Sequence, residues 1–117
     1  MITYDGSMQS YTCRMQDVSF IGGTDYRIEF PFYKNGTPLN MESCSFKWYM
    51  SPYGQPEIKL ITMTPFPINN YTIALYIPSN ITKSYEGLYI HQLELNDATN
   101  KTFRVAEGII DIKKAII

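Results

Sequence analysis

Along most of the chain apolar and polar residues alternate with a period of two. Tyr26, Ile28, Phe30 and Phe32 are interleaved with Arg27, Glu29 and Pro31, the pattern of a strand with one face in a core and the other toward water. The run stops at Lys34-Asn35-Gly36-Thr37-Pro38, where Asn-Gly and the proline mark a turn. A second alternation covers residues 43–50, with Cys44, Phe46, Trp48 and Met50 on one face and Ser45, Lys47 and Tyr49 on the other. Residues 51–56 break it, and a short strand is expected over 57–62, with Ile58 and Leu60 facing one way. Residues 64–70 contain Pro65 and Pro67, each of which removes a ladder donor, so they read as a loop or an edge-to-edge crossing and never as a central strand. Pairing resumes over 71–77, where Ile73, Leu75 and Ile77 alternate with Thr72, Ala74 and Tyr76. A single helical turn near 81–85 leads into a strand over 87–95. Residues 96–100 form a polar hairpin connection, and 101–112 return as the last strand. Upstream, 11–20 is a weaker strand, stopped by Gly22-Gly23.

The pattern adds up to about seven short strands, and no stretch sustains a helical period. Count and spacing favour an all-β fold, an immunoglobulin-like antiparallel β-sandwich, over a barrel. With no internal repeat, low-complexity tract or linker, residues 1–117 read as one domain. Gly87-Leu88-Tyr89-Ile90-His91 sharpens this reading. Gly-x-Tyr matches the entry to strand F of such sandwiches, where a corner tyrosine returns its hydroxyl to the backbone upstream, near Ser84 or Tyr85 here. His91 then takes the inward position where antibody domains keep a cysteine. Gly87, Tyr89, His91 and the core-facing Trp48 are therefore read as structural.

Composition supports the same class. Aromatics make up 15% of the 117 residues, and this excess favours strands. A formal net charge of −1 offers no electrostatic grip on nucleic acid or an anionic membrane. No apolar run approaches the roughly 18 residues of a membrane span. Residues 1–10 are polar and do not form a signal peptide, so the chain is expected to be cytoplasmic as synthesised. The two cysteines, Cys13 and Cys44, read as buried thiols, with a Cys13–Cys44 bridge as the alternative in an exported protein.

Catalytic chemistry finds little support. His91 is the only histidine, and its inward position suits a core residue better than a general base. The carboxylates are scattered singly, without metal-ligand spacing. Gly22-Gly23 lacks the strand–loop–helix context of a phosphate cradle. The expectation is no enzyme, no cofactor and no metal. Asn35, Asn70, Asn80 and Asn100 each open an Asn-x-Thr triplet, and all fall in or beside turns, where Asn and Thr gather for backbone reasons. The aromatic surplus is the remaining clue. Tyr49 and Tyr76 alternate away from the core, and Tyr53 and Phe66 sit in proline-flanked loops, so these four are the candidate partner contacts.

Three segments of the second half occur in a suggestive order: Ile73-Ala74-Leu75-Tyr76-Ile77-Pro78, Gly87 through Asp97, and Gly108-Ile109-Ile110-Asp111-Ile112. Together with Gly23 through Phe30 and Asn35-Gly36-Thr37-Pro38-Leu39, this order resembles the small β-sandwich domains of phage tail and baseplate proteins. The nearest type is the N-terminal domain of the baseplate upper proteins of phages of Gram-positive bacteria, and the likeness spans roughly residues 20 to 112. What the resemblance implies is a non-enzymatic virion structural or adaptor protein in tail, baseplate or head decoration. Its partners would be other virion proteins or itself, and it would be oligomeric in the assembly. The rival expectation from the aromatics is a free-standing carbohydrate-binding module recognising a host-surface glycan.

Overall fold

The computed structural model describes residues 2–3, 14–15, 17–34 and 36–114. Its elements in chain order are β1 (Ile2–Thr3), β2 (Arg14–Met15), β3 (Val18–Ile21), β4 (Tyr26–Lys34), β5 (Thr37–Pro38), β6 (Ser45–Pro52), β7 (Ile61–Met63), β8 (Phe66–Asn69), β9 (Thr72–Ile77), α1 (Ser79–Thr82), β10 (Gly87–Asn96) and β11 (Thr102–Lys113). They build two packed sheets. One runs β1-β4-β9-β8 with β5 also on β4, and the other runs β2-β11-β10-β6-β7 with β3 also on β11. The orders β4-β9-β8 and β11-β10-β6-β7 are those of strands B-E-D and G-F-C-C′ in a variable-type immunoglobulin sandwich. Pairing is antiparallel except at β1, which runs parallel to β4, and at β2 and β3, which run parallel to β11.

The fold is thus the expected all-β sandwich, with nine positions along the two strand orders, and β3 and β5 beside them, rather than about seven strands. The added positions come from segments too short to show a period. β2 and β3 share one edge of β11 and count as a single interrupted strand, and β1 contributes only two residues. β8 is an edge strand, paired only to β9 and bulged between Pro67 and Asn69. An edge is where Pro67, with no N–H to give, fits into a sheet.

The strand expected over 57–62 begins instead at Ile61. After β6 the chain keeps turning, with Gln55 N–H bonded to Pro52 O and Ile58 N–H to Gln55 O, and joins β6 only where Leu60 N–H reaches Met50 O at 2.8 Å. Ile58 and Leu60 therefore stay exposed. The helical turn α1 lies slightly ahead of the 81–85 window. Ser84 N–H to Ile81 O and Tyr85 N–H to Thr82 O continue it toward β10.

The core lies between the sheets. Ile28, Phe30, Phe32, Ile73, Leu75 and Ile77 come from the five-stranded sheet, and Phe46, Trp48, Met50, Leu93, Leu95, Ile110 and Ile112 from the six-stranded one. Phe32 meets Phe46 across the layers at 5.4 Å between ring centroids, and Phe20 stacks on Tyr26 at 4.3 Å. Burial of these rings dominates the stability, since each removes a large apolar area from water. Among the described residues no helix is long and apolar enough to cross a membrane. Cys13 and Asn35 lie outside the described residues, while Cys44 is half-buried against the core. Asn70, Asn80 and Asn100 are exposed.

Candidate functional site

The alternation of β10 sends Tyr89, His91, Leu93 and Leu95 inward. His91 is paired with Met50 of β6 and with Gly108 of β11, and it is 1% exposed. Trp48, on β6, donates its indole N–H to His91 Nδ1 at 2.9 Å. A nitrogen that accepts carries no proton, so the ring hydrogen sits on Nε2 and the imidazole is neutral. The single histidine is therefore a core residue bonded to the single tryptophan. Tyr89 lies two positions earlier and is half-buried. Its hydroxyl donates to Glu86 O at 3.0 Å and accepts from Glu86 N–H at 3.2 Å. That partner is one residue closer than the Ser84–Tyr85 pair expected from the sequence. The ring of Tyr85 instead packs edge-on against that of Tyr89. Gly87 opens the strand at φ +105°, a region that side-chain-bearing residues avoid.

The four candidate contact residues do not form one surface. Tyr49 is on the outer face of the six-stranded sheet and only half-exposed. Lys59 Nζ lies 4.8 Å from its ring centroid, and its hydroxyl is hydrogen-bonded to Glu94, so burial first and the Glu94 charge second hold its ionisation above the ordinary phenol range. Tyr53, in the β6–β7 connection, is 56% exposed. Tyr76 and Phe66 belong to the other sheet. Tyr76 alternates outward on β9, and Phe66 of β8 stands opposite Ala74, which shares that outward face.

On the outer face of the six-stranded sheet, Leu88 is 52% exposed, and Ile90 faces Ile109 across β10 and β11. Sequence reasoning passed over these three. The signal was present in residues 87–91, where Leu88 and Ile90 alternate with Tyr89 and His91 and leave both faces of the strand apolar. Polar pairs stand beside them, Asp111 with Lys113 at 3.2 Å and Arg104 with Glu107 at 3.9 Å.

On the outer face of the five-stranded sheet, Arg27 pairs across the ladder with Tyr76, and Glu29 with Ala74. Arg27 Nε meets Glu29 Oε2 at 3.2 Å, and the guanidinium carbon lies 5.9 Å from the Phe66 centroid. Tyr76 hydroxyl bonds Asp25, which also accepts Ser79 N–H at 2.7 Å. The Ser79 and Tyr76 bonds hold the Asp25 carboxyl below the ordinary range, while the Asp25 bond and charge raise that of Tyr76. Arg27 was not singled out from the sequence, because nothing in a strand's period says which ring its neighbour brings.

A third feature is an apolar cavity of about 510 Å³ where residues 41–46 face β8, lined by Met41, Cys44, Phe46, Pro65, Pro67 and Ile73. Among the described residues no three His, Cys, Asp or Glu side chains are grouped to hold a metal ion. No protein-family model matches the sequence, and no curated protein matches it.

Proposed function

We propose that the protein is a non-enzymatic adaptor of a phage virion, in tail, baseplate or head decoration, that works through contacts with other virion proteins or with its own copies. The observation that supports it is the apolar strip on the outer face of the six-stranded sheet, where Leu88 stands out and Ile90 and Ile109 face each other across two strands. Single exposed apolar residues are ordinary on any surface. A contiguous strip with charged pairs beside it has the make-up of an interface, an apolar centre within a polar rim. The phage assignment rests on the resemblance of residues 73–78, 87–97 and 108–112 to baseplate sandwich domains. A neutral His91 bonded to Trp48 inside the core suits a scaffold.

Light scattering after size-exclusion chromatography tests the contact. The parent is expected to self-associate as its concentration rises, or to form a defined complex with a tail or baseplate protein encoded beside it. Leu88→Glu should abolish either one without altering the melting temperature. A parent that remains monomeric at high concentration and ignores those proteins contradicts the proposal.

A further inference from the structure

We propose that the outer face of the five-stranded sheet is a binding site for a neutral saccharide, with Tyr76 and Phe66 as stacking rings and Arg27 and Glu29 as hydroxyl-binding groups. This site is on the opposite sheet from the adaptor strip and stands independently of it. Two rings, 46% and 44% exposed, share the face: Phe66 stands across the ladder from Ala74, and Tyr76 lies two positions further along β9. Arg27 reaches from its place opposite Tyr76 to 5.9 Å from the Phe66 centroid, so the rings and the guanidinium share one face. Tyr76 is held before any ligand arrives, because its hydroxyl is tied to Asp25 and Asp25 is tied to the backbone of Ser79. A ring fixed in this way loses little freedom when a pyranose stacks on it.

The polar groups choose among ligands. Arg27 and Glu29 neutralise each other while their side chains remain 51% and 53% exposed. A guanidinium has five N–H donors, and the Nε bond to Glu29 leaves others for hydroxyl oxygens. The carboxylate can accept from hydroxyl hydrogens, and such charge-assisted bonds are the strong ones. With Asp25 counted, the face carries two carboxylates against one guanidinium, so a sulfated or carboxylated sugar meets net repulsion and a neutral one does not. An apolar protein surface laid over this face would cover the Arg27–Glu29 pair without replacing its water, which is costly. Vicinal hydroxyls replace that water.

Amide chemical-shift titration of the whole chain tests the site, using maltotetraose, cellotetraose and tetra-N-acetylchitotetraose as neutral probes and sialyllactose as the charged one. At least one neutral probe is expected to shift the amides of Arg27, Ala74, Tyr76 and Phe66 saturably at millimolar concentration, with sialyllactose at least tenfold weaker. Tyr76→Ala and Phe66→Ala should each weaken binding tenfold or more while the amide spectrum stays that of the folded chain. Leu88→Glu, on the other sheet, should bind like the parent. No saturable shift with any neutral probe, equal binding of sialyllactose, or binding that survives both ring truncations overturns the site. Protection of this face by a copurified virion protein in place of the sugar also overturns it, and assigns the rings to a protein contact.

Discussion

Tyr89 shows how much rests on one hydroxyl. Its oxygen serves both backbone groups of Glu86, at 3.0 Å and 3.2 Å, and so pins the entry to β10. Tyr89→Phe keeps the ring and removes both bonds, and equilibrium denaturation should show a loss of about 1 kcal/mol. Tyr89→Ala also removes a half-buried ring and should cost roughly 2–3 kcal/mol, less than truncation of a fully buried aromatic. A Tyr89→Ala variant that melts like the parent would place the ring outside the packing. Gly87 tests the same corner through the backbone. A Cβ there meets nothing within 4 Å, so the cost of Gly87→Ala is the strain of φ +105° alone, about 1–2 kcal/mol. In the core, Trp48→Phe removes the indole N–H that His91 Nδ1 accepts. It should cost at least about 2 kcal/mol, the sum of lost packing and that lost buried bond. Recovery of the loss in a Trp48→Phe, His91→Leu double variant would locate it in the broken bond.

At the scale of elements, the β10–β11 hairpin depends on Asp97. Its Oδ1 accepts Thr99 N–H, the Thr99 hydroxyl and Lys101 N–H, and Asn100 takes φ +63° to complete the turn. The Thr99 hydroxyl first, and the Lys101 amide after it, hold the carboxyl below its ordinary range. A carboxyl that ionises more readily in the fold than in the unfolded chain stabilises the fold above the unfolded value, about pH 3.9, and loses that contribution as the pH falls below it. The gap in melting temperature between the parent and Asp97→Ala should therefore be constant from neutral pH to about pH 5 and close toward pH 3. A gap that persists at pH 3 would mean that the ionised carboxylate is not what secures the turn. Legibility in the sequence follows the same logic. β4, β6, β9, β10 and β11 were readable because each buries one face against a core, and burial imposes the alternation. β7 was misplaced because Ile58 and Leu60 alternate like a strand although no core faces them. β8 reads as a loop or crossing in the sequence because prolines forbid a central strand, and only the edge position makes room for them. Tyr76 and Phe66 were named individually, but their shared face depends on Phe66 pairing with Ala74, and no local period encodes a cross-strand register.

For the whole molecule, the two sheets divide the exposed chemistry. The six-stranded sheet turns out an apolar strip and the five-stranded sheet a pair of rings with neutralised charges, while the core between them holds the only histidine. Substitutions on one outer face should leave the other face's contacts unchanged, since the outer faces share no side chain and distant sites act additively. The proposed phage role rests on the order of motifs along the chain, which a sandwich fold alone does not specify. The proposed structural role in a phage particle is tested by quantitative mass spectrometry of phage particles purified from cells that express the chain. The chain is expected in the particles at a fixed ratio to tail, baseplate or head proteins, retained through density-gradient purification. Particles that lack it, in cells that express it, would overturn the proposed role.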